Sequence, residues 1–147
     1  MPKNHWLLKS EPSTYSFQDL VRDRKTNWNG VRNFQARTYL KQVQRGDLAI
    51  IYHSGDERAP VGVSRVVRGA YPDPDPKKPG EWVQIDIEPG QPFPQPVPLT
   101  AMKTTPALQT LPLLKQSRLS VMPITAAHFE AILELSKKVL PQIPRRR

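Results

Sequence analysis

Three short stretches, KSEP (9–12), WNGVRN (28–33) and YHS (52–54), carry the residues whose types could do chemistry. Trp28 stands in a polar, glycine-containing turn where a chain building only a core would place an aliphatic residue. Its indole offers a flat face, and stacking of a nucleobase on such a ring contributes roughly 1–3 kcal/mol without choosing among bases. Choice must come from the edge of the heterocycle, where Ser10, Asn33 and Ser54 can donate or accept. A backbone amide near Gly30 would also be accessible, because glycine carries no side chain. Arg32 and Arg37 are placed to hold flanking phosphates, contacts that fix register without reading sequence. A base must leave its stack to enter such a pocket, so a modified or weakly paired base enters more easily.

Each of these residues has a plainer use. Trp28 can lid the edge of a core, Asn33 can cap a helix, and Tyr52 can bury its ring as ordinary core. Lys9 and Glu11 can form a solvated pair worth under about 1 kcal/mol. His53 has a structural reading beside a catalytic one, in which it acts as general base with Glu11 or Ser10 nearby. Against catalysis, no serine stands on a strand-turn-helix elbow, and no second histidine or carboxylate pair recurs at a useful spacing. A third reading takes the proline-rich segment 89–98 as an extended surface for a protein partner.

The length, 147 residues, suits one compact domain, here residues 1–140, followed by a basic tail at 141–147 that is expected to fray. There is no cysteine, and His5, His53 and His128 lack the short spacings of zinc sites, so neither a metal nor another cofactor is expected. Glycine-rich phosphate loops are absent as well. No apolar run reaches membrane-spanning length, and the N-terminal segment meets a proline before any signal-peptide core could form. A soluble cytoplasmic protein that does not contact membranes is the expectation.

The formal net charge is +9. Residues 1–70 hold 12 basic and 6 acidic residues and residues 71–147 hold 10 and 7, so most of the excess lies in the half of the chain that contains the three stretches, and the remainder equals the terminal PRRR. Such an excess points to a polyanionic partner, because lysines and arginines that neutralise phosphates release counterions.

The elements that must position these residues alternate in type. HWLLK (5–9) reads as a strand. Ser16 with Asp19 three residues on signals a helix over about 17–23, and Asn33 can cap a second over about 34–44. DLAIIYHS (47–54), residues 60–71 and EWVQIDIE (81–88) read as three successive strands of an antiparallel meander. In the last of these, Val83, Ile85 and Ile87 are expected inside and Trp82, Gln84 and Asp86 outside. Residues 72–98 hold nine of the 17 prolines and read as stiff connections. A short helix near 106–116, a closing strand at RLSVMP and a helix capped by Thr125 complete the chain, the helix presenting Phe129, Ile132, Leu133 and Ser136 on one face. The sum is an α+β domain. If the first strand and IIYH are neighbours, their polar ends open on one rim that the Trp28 loop can close.

WLLKSEP, YSFQDL, WNGVRNFQAR, YHS, AYPDP and RLSVMPIT occur in the order and approximate spacing of the EVE domain family, which the chain resembles over almost its whole length. The resemblance implies a PUA-like fold, a curled antiparallel β-barrel flanked by helices. It further implies a non-catalytic domain that binds a modified nucleobase of DNA or RNA in a pocket. Carried over by motif, that pocket would draw on Lys9 and Ser10, on Trp28, Val31 and Asn33, and on Tyr52, His53 and Ser54.

Overall fold

The computed structural model describes residues 4–74, 77 and 81–138, so the basic segment 141–147 lies outside the described residues. Among these, six strands form one sheet: β1 (His5–Ser10), β2 (Thr26–Trp28), β3 (Leu48–His53), β4 (Ala59–Pro72), β5 (Val83–Pro92) and β6 (Val121–Ile124). Their spatial order is β2-β5-β4-β3-β1-β6. The meander β3-β4-β5 is present as read from the sequence. The expected barrel is not closed. Strands β2 and β6, of three and four residues, lie at opposite ends of the sheet and each bonds to one neighbour.

The sheet is also not wholly antiparallel. β1 runs parallel to β3, with Lys9 opposite Tyr52 and Ser10 opposite His53. Parallel neighbours need a crossover of a dozen or more residues. Residues 11–47 supply it, carrying α1 (Phe17–Asp23), β2 and α2 (Phe34–Leu40) on the way. The polar ends of β1 and β3 therefore open at the same edge, facing the segment that returns between them.

The cap signals position the helices. Ser16 accepts the Asp19 amide while the Asp19 carboxylate accepts that of Ser16, a contact that holds the carboxyl below its ordinary value. Asn33 caps α2 through Ala36, although the helix ends at Leu40, short of residue 44. α3 (Leu99–Lys103) has no clear sequence signal, and the helix expected near 106–116 is instead two 3-10 turns, each begun by a proline. In α4 (Ala126–Lys137), Phe129, Ile132 and Ser136 are buried as expected, with Leu135 taking the place of Leu133.

Two further expectations fail for physical reasons. β5 runs on through Pro89 and Pro92, paired with Ser64 and Gly62 of β4. β2 covers only Ile85 to Ile87, so beyond Ile87 the strand is an edge, where proline's missing donor leaves no ladder bond unmade. The proline-rich segment is thereby fastened to the sheet, with Phe93 and Val97 donating to Val61 and Pro60. The face bearing Trp82, Gln84 and Asp86 is buried as well. Gln84 is bonded to Asn27 and to the Pro72 carbonyl, and Asp86 takes the Tyr71 hydroxyl.

Asp47 anchors the start of β3. Its buried carboxylate accepts the Trp6 indole N–H at 2.9 Å, the Gln44 amide at 2.9 Å and the Asn4 amide at 3.2 Å. Asp47→Ala would strand three donors and should lower unfolding free energy by about 2–4 kcal/mol, read as an earlier urea midpoint. His128 gives a pH test. Its Nδ1 accepts the Thr125 amide, so the proton rests on Nε2 and donates to Thr110 at 2.8 Å. Burial holds the imidazole below its ordinary value near 6.5. The unfolded chain then takes up the proton first, so this contribution is full above about pH 6.5 and is lost as pH falls below it. Thermal melts from pH 7.5 to 5 should show that decline, and His128→Gln should flatten it.

Candidate functional site

Between the end of β1 and the Trp28–Asn33 loop lies a cavity of about 570 Å³, within the roughly 300–1,000 Å³ usual for small-ligand sites. Trp28 ends β2 rather than standing in a free turn, and pairing with Ile85 fixes its backbone. The indole is half-buried and lines the cavity. Tyr15 meets it edge-on, with ring centroids 6.5 Å apart and planes at 83°. The Tyr15 hydroxyl donates to Asp23, and burial pushes its phenol up.

The loop from Trp28 to Asn33 is held by a residue that motif reading passed over. Asp73, buried at the end of β4, accepts the Gly30 amide and the Arg32 guanidinium through one oxygen, each at 2.9 Å. Its own amide donates to the Trp82 carbonyl. Gly30 has φ +79°, a conformation glycine adopts without strain. The only advance signal for Asp73 was its place in AYPDP.

Within this cavity the hydrogen-bonding groups are complementary. The Asn33 side-chain oxygen accepts the Ala36 amide at 2.8 Å, which leaves its NH₂ as donor. Ser10 gives its hydroxyl proton to the Tyr15 carbonyl, which leaves its oxygen as acceptor. Helix capping and a place at the rim are therefore compatible for Asn33. Val31, which is buried, adds an apolar patch. Lys9 also lines the cavity, but pairs with no carboxylate; its ammonium donates to the Ser117 carbonyl at 2.6 Å, and burial lowers its pKa. The plainer reading of a Lys9–Glu11 pair is not met, Glu11 instead accepting from Ser13.

The third stretch is divided. Tyr52 and Ser54 line a second cavity of about 370 Å³, which shares Lys9 with the first. His53 lines neither. It is buried, accepts the Phe17 amide on Nε2 at 3.0 Å and meets Glu57 through Nδ1 at 2.9 Å, so both ring nitrogens are engaged and no general base is offered. Of the two arginines, Arg32 lines the first cavity while its charge is matched by Asp73. Arg37 points away from it. Its guanidinium lies 4.9 Å from the Phe34 ring and 5.2 Å from that of Trp82, and it donates to the Glu81 carbonyl. Phe34 stacks on Trp82 at 5.4 Å, yet remains 57% exposed. Among the described residues no histidine-carboxylate cluster is placed to hold a metal ion.

The chain and its fold are matched in known proteins. A model of the EVE domain covers residues 4–135. The chain belongs to the EVE domain family. Human thymocyte nuclear protein 1 is 31% identical over 168 residues, covering 92% of this chain and 75% of the relative. Among solved structures, a hypothetical protein from Leishmania major superposes with a TM-score of 0.88 at 33% identity, covering 92% of this chain and 96% of that one. The human THYN1 protein, solved in complex with DNA containing 5-methylcytosine, superposes with a TM-score of 0.84 at 29% identity over 92% and 99% of the two chains.

Asp73→Ala would release both Gly30 and Arg32. The expected result is faster hydrogen exchange at the Gly30 amide with unchanged protection at Ile50 and Ile51 in the core, measured by NMR.

Proposed function

We propose that this EVE domain is a non-catalytic reader that takes a modified nucleobase of DNA or RNA into the Trp28 cavity. The observation that carries this reading is the half-buried indole face standing beside a spare Asn33 donor and a spare Ser10 acceptor. The complex of human THYN1 with 5-methylcytosine DNA supports the same reading and suggests a ligand. A cytosine presents an exocyclic amine that can donate to Ser10 and ring acceptors that can receive the Asn33 amide. Its 5-methyl group would find apolar company at Val31. Stacking on Trp28 supplies affinity, and these edge contacts supply choice.

The test compares oligonucleotides that differ only in one 5-methylcytosine. Trp28→Ala should weaken binding of the methylated strand roughly 10- to 100-fold, the equivalent of about 1–3 kcal/mol of lost stacking. Its melting temperature should stay within a few degrees of the parent, because the ring is not part of the sealed core. Undiminished affinity in a folded Trp28→Ala protein would reject the base cavity.

A further inference from the structure

The second cavity has a composition unlike the first. Tyr52 lines it, with the Lys9 ammonium 5.6 Å from the ring centroid. Burial pushes the Tyr52 phenol up, and the Arg58 charge, also at this cavity, pulls it down. No carboxylate lines this cavity, and neither Lys9 nor Arg58 enters an ion pair among the described residues. Lys9 uses one of its three N–H groups on Ser117, and Arg58 bonds only through Nε, to the Gly55 carbonyl at 3.2 Å. The Ser54 and Ser117 residues add hydroxyls at the wall.

The position of Arg58 is built rather than incidental. It is one of two non-glycine residues with positive φ among the described residues, at +47°, a conformation that disfavours most side chains. The turn is held from both ends: the Arg58 carbonyl accepts the Leu99 amide, and Ala59 pairs with His53. Gly55, where an added Cβ would collide with the Glu11 carboxylate at 2.4 Å, keeps the turn packed against the end of β1. Glu11 itself lines the first cavity and not the second. The fixed turn thus presents spare guanidinium N–H groups beside a partly desolvated ammonium.

We infer that this second cavity is a phosphate subsite, which grips the backbone phosphate next to the nucleotide whose base occupies the Trp28 cavity. The inference rests on the reader function proposed above for the relation between the two cavities, and on its own residues for the anion. An arginine fork and an ammonium around hydroxyl donors suit phosphate oxygens, with which charge-assisted hydrogen bonds are strong. Lys9, common to both cavities, is the bridge that sets the spacing from base to phosphate. The subsite carries no sequence information; it fixes the register of the strand.

The test uses Arg58→Asn, since asparagine tolerates the left-handed backbone. Three probes are titrated: orthophosphate, a short unmodified single-stranded oligonucleotide, and 5-methyl-2′-deoxycytidine, which has no phosphate. In the parent protein, orthophosphate should shift the amide resonances of residues 54–58. Arg58→Asn should abolish those shifts, weaken the oligonucleotide about tenfold and make its salt dependence shallower by about 0.7 in slope, the loss of one phosphate contact. Nucleoside affinity should be the same in both proteins. Trp28→Ala should show the converse pattern, losing the nucleoside and keeping the salt slope. A folded Arg58→Asn protein with unchanged oligonucleotide affinity and slope overturns the subsite, as does a parent protein whose residues 54–58 ignore orthophosphate. If Trp28→Ala retains nucleoside binding while Arg58→Asn behaves as described, the base cavity falls and the phosphate subsite stands.

Discussion

One buried carboxylate sets the geometry on which the candidate site depends. Asp73 ties the Trp28–Asn33 loop to the end of β4 through the Gly30 amide and the Arg32 guanidinium. Because an uncompensated buried charge is strongly unfavourable, the loop and the carboxylate stabilise each other's position. The indole then has one orientation, braced by Tyr15 on its edge and by the ladder to Ile85 behind it. Arg32 is also drawn to within 5.3 Å of the Trp82 ring centroid. Its charge is therefore engaged by the protein's own groups.

Local signals survived translation into structure best. Ser16 with Asp19, Asn33 and Thr125 announced their helices because a cap is satisfied within four residues of itself. Strand β2 was illegible for the opposite reason. Three residues are too few to show alternation, and Thr26–Trp28 is a strand only because β5 supplies its partners. The fate of Pro89 and Pro92 was similarly set by distance, since whether a proline breaks a ladder depends on which neighbour is missing. Asp73 was unreadable as a clamp because its partners lie 41 and 43 positions earlier.

The candidate site was legible in outline and divided in detail. The parallel pairing of β1 with β3 brought KSEP and YHS to one edge, as their polar ends suggested. The pleat then sorted neighbours that the motif had grouped together. Successive side chains on a strand point to opposite faces, so Tyr52 and Ser54 share a cavity while His53 turns to the other side and receives the start of α1. A run of three suggestive residues thereby became two contributors to a cavity and one structural support. Arg37 followed the same logic on a helix, its side chain directed into the Phe34–Trp82 stack.

The placement of β1 also bears on how the chain matures. The first strand in sequence lies between β3 and β6, the last strand, which begins at Val121. During synthesis one edge of that strand stays unpaired until most of the polypeptide has emerged, and an open, apolar strand edge is a template for pairing with another chain. A chain ending before Val121 would lack the strand that pairs with Leu7 and Leu8, two residues the finished protein buries completely. The strand order thus leaves the completion of the first strand's pairing to the last one.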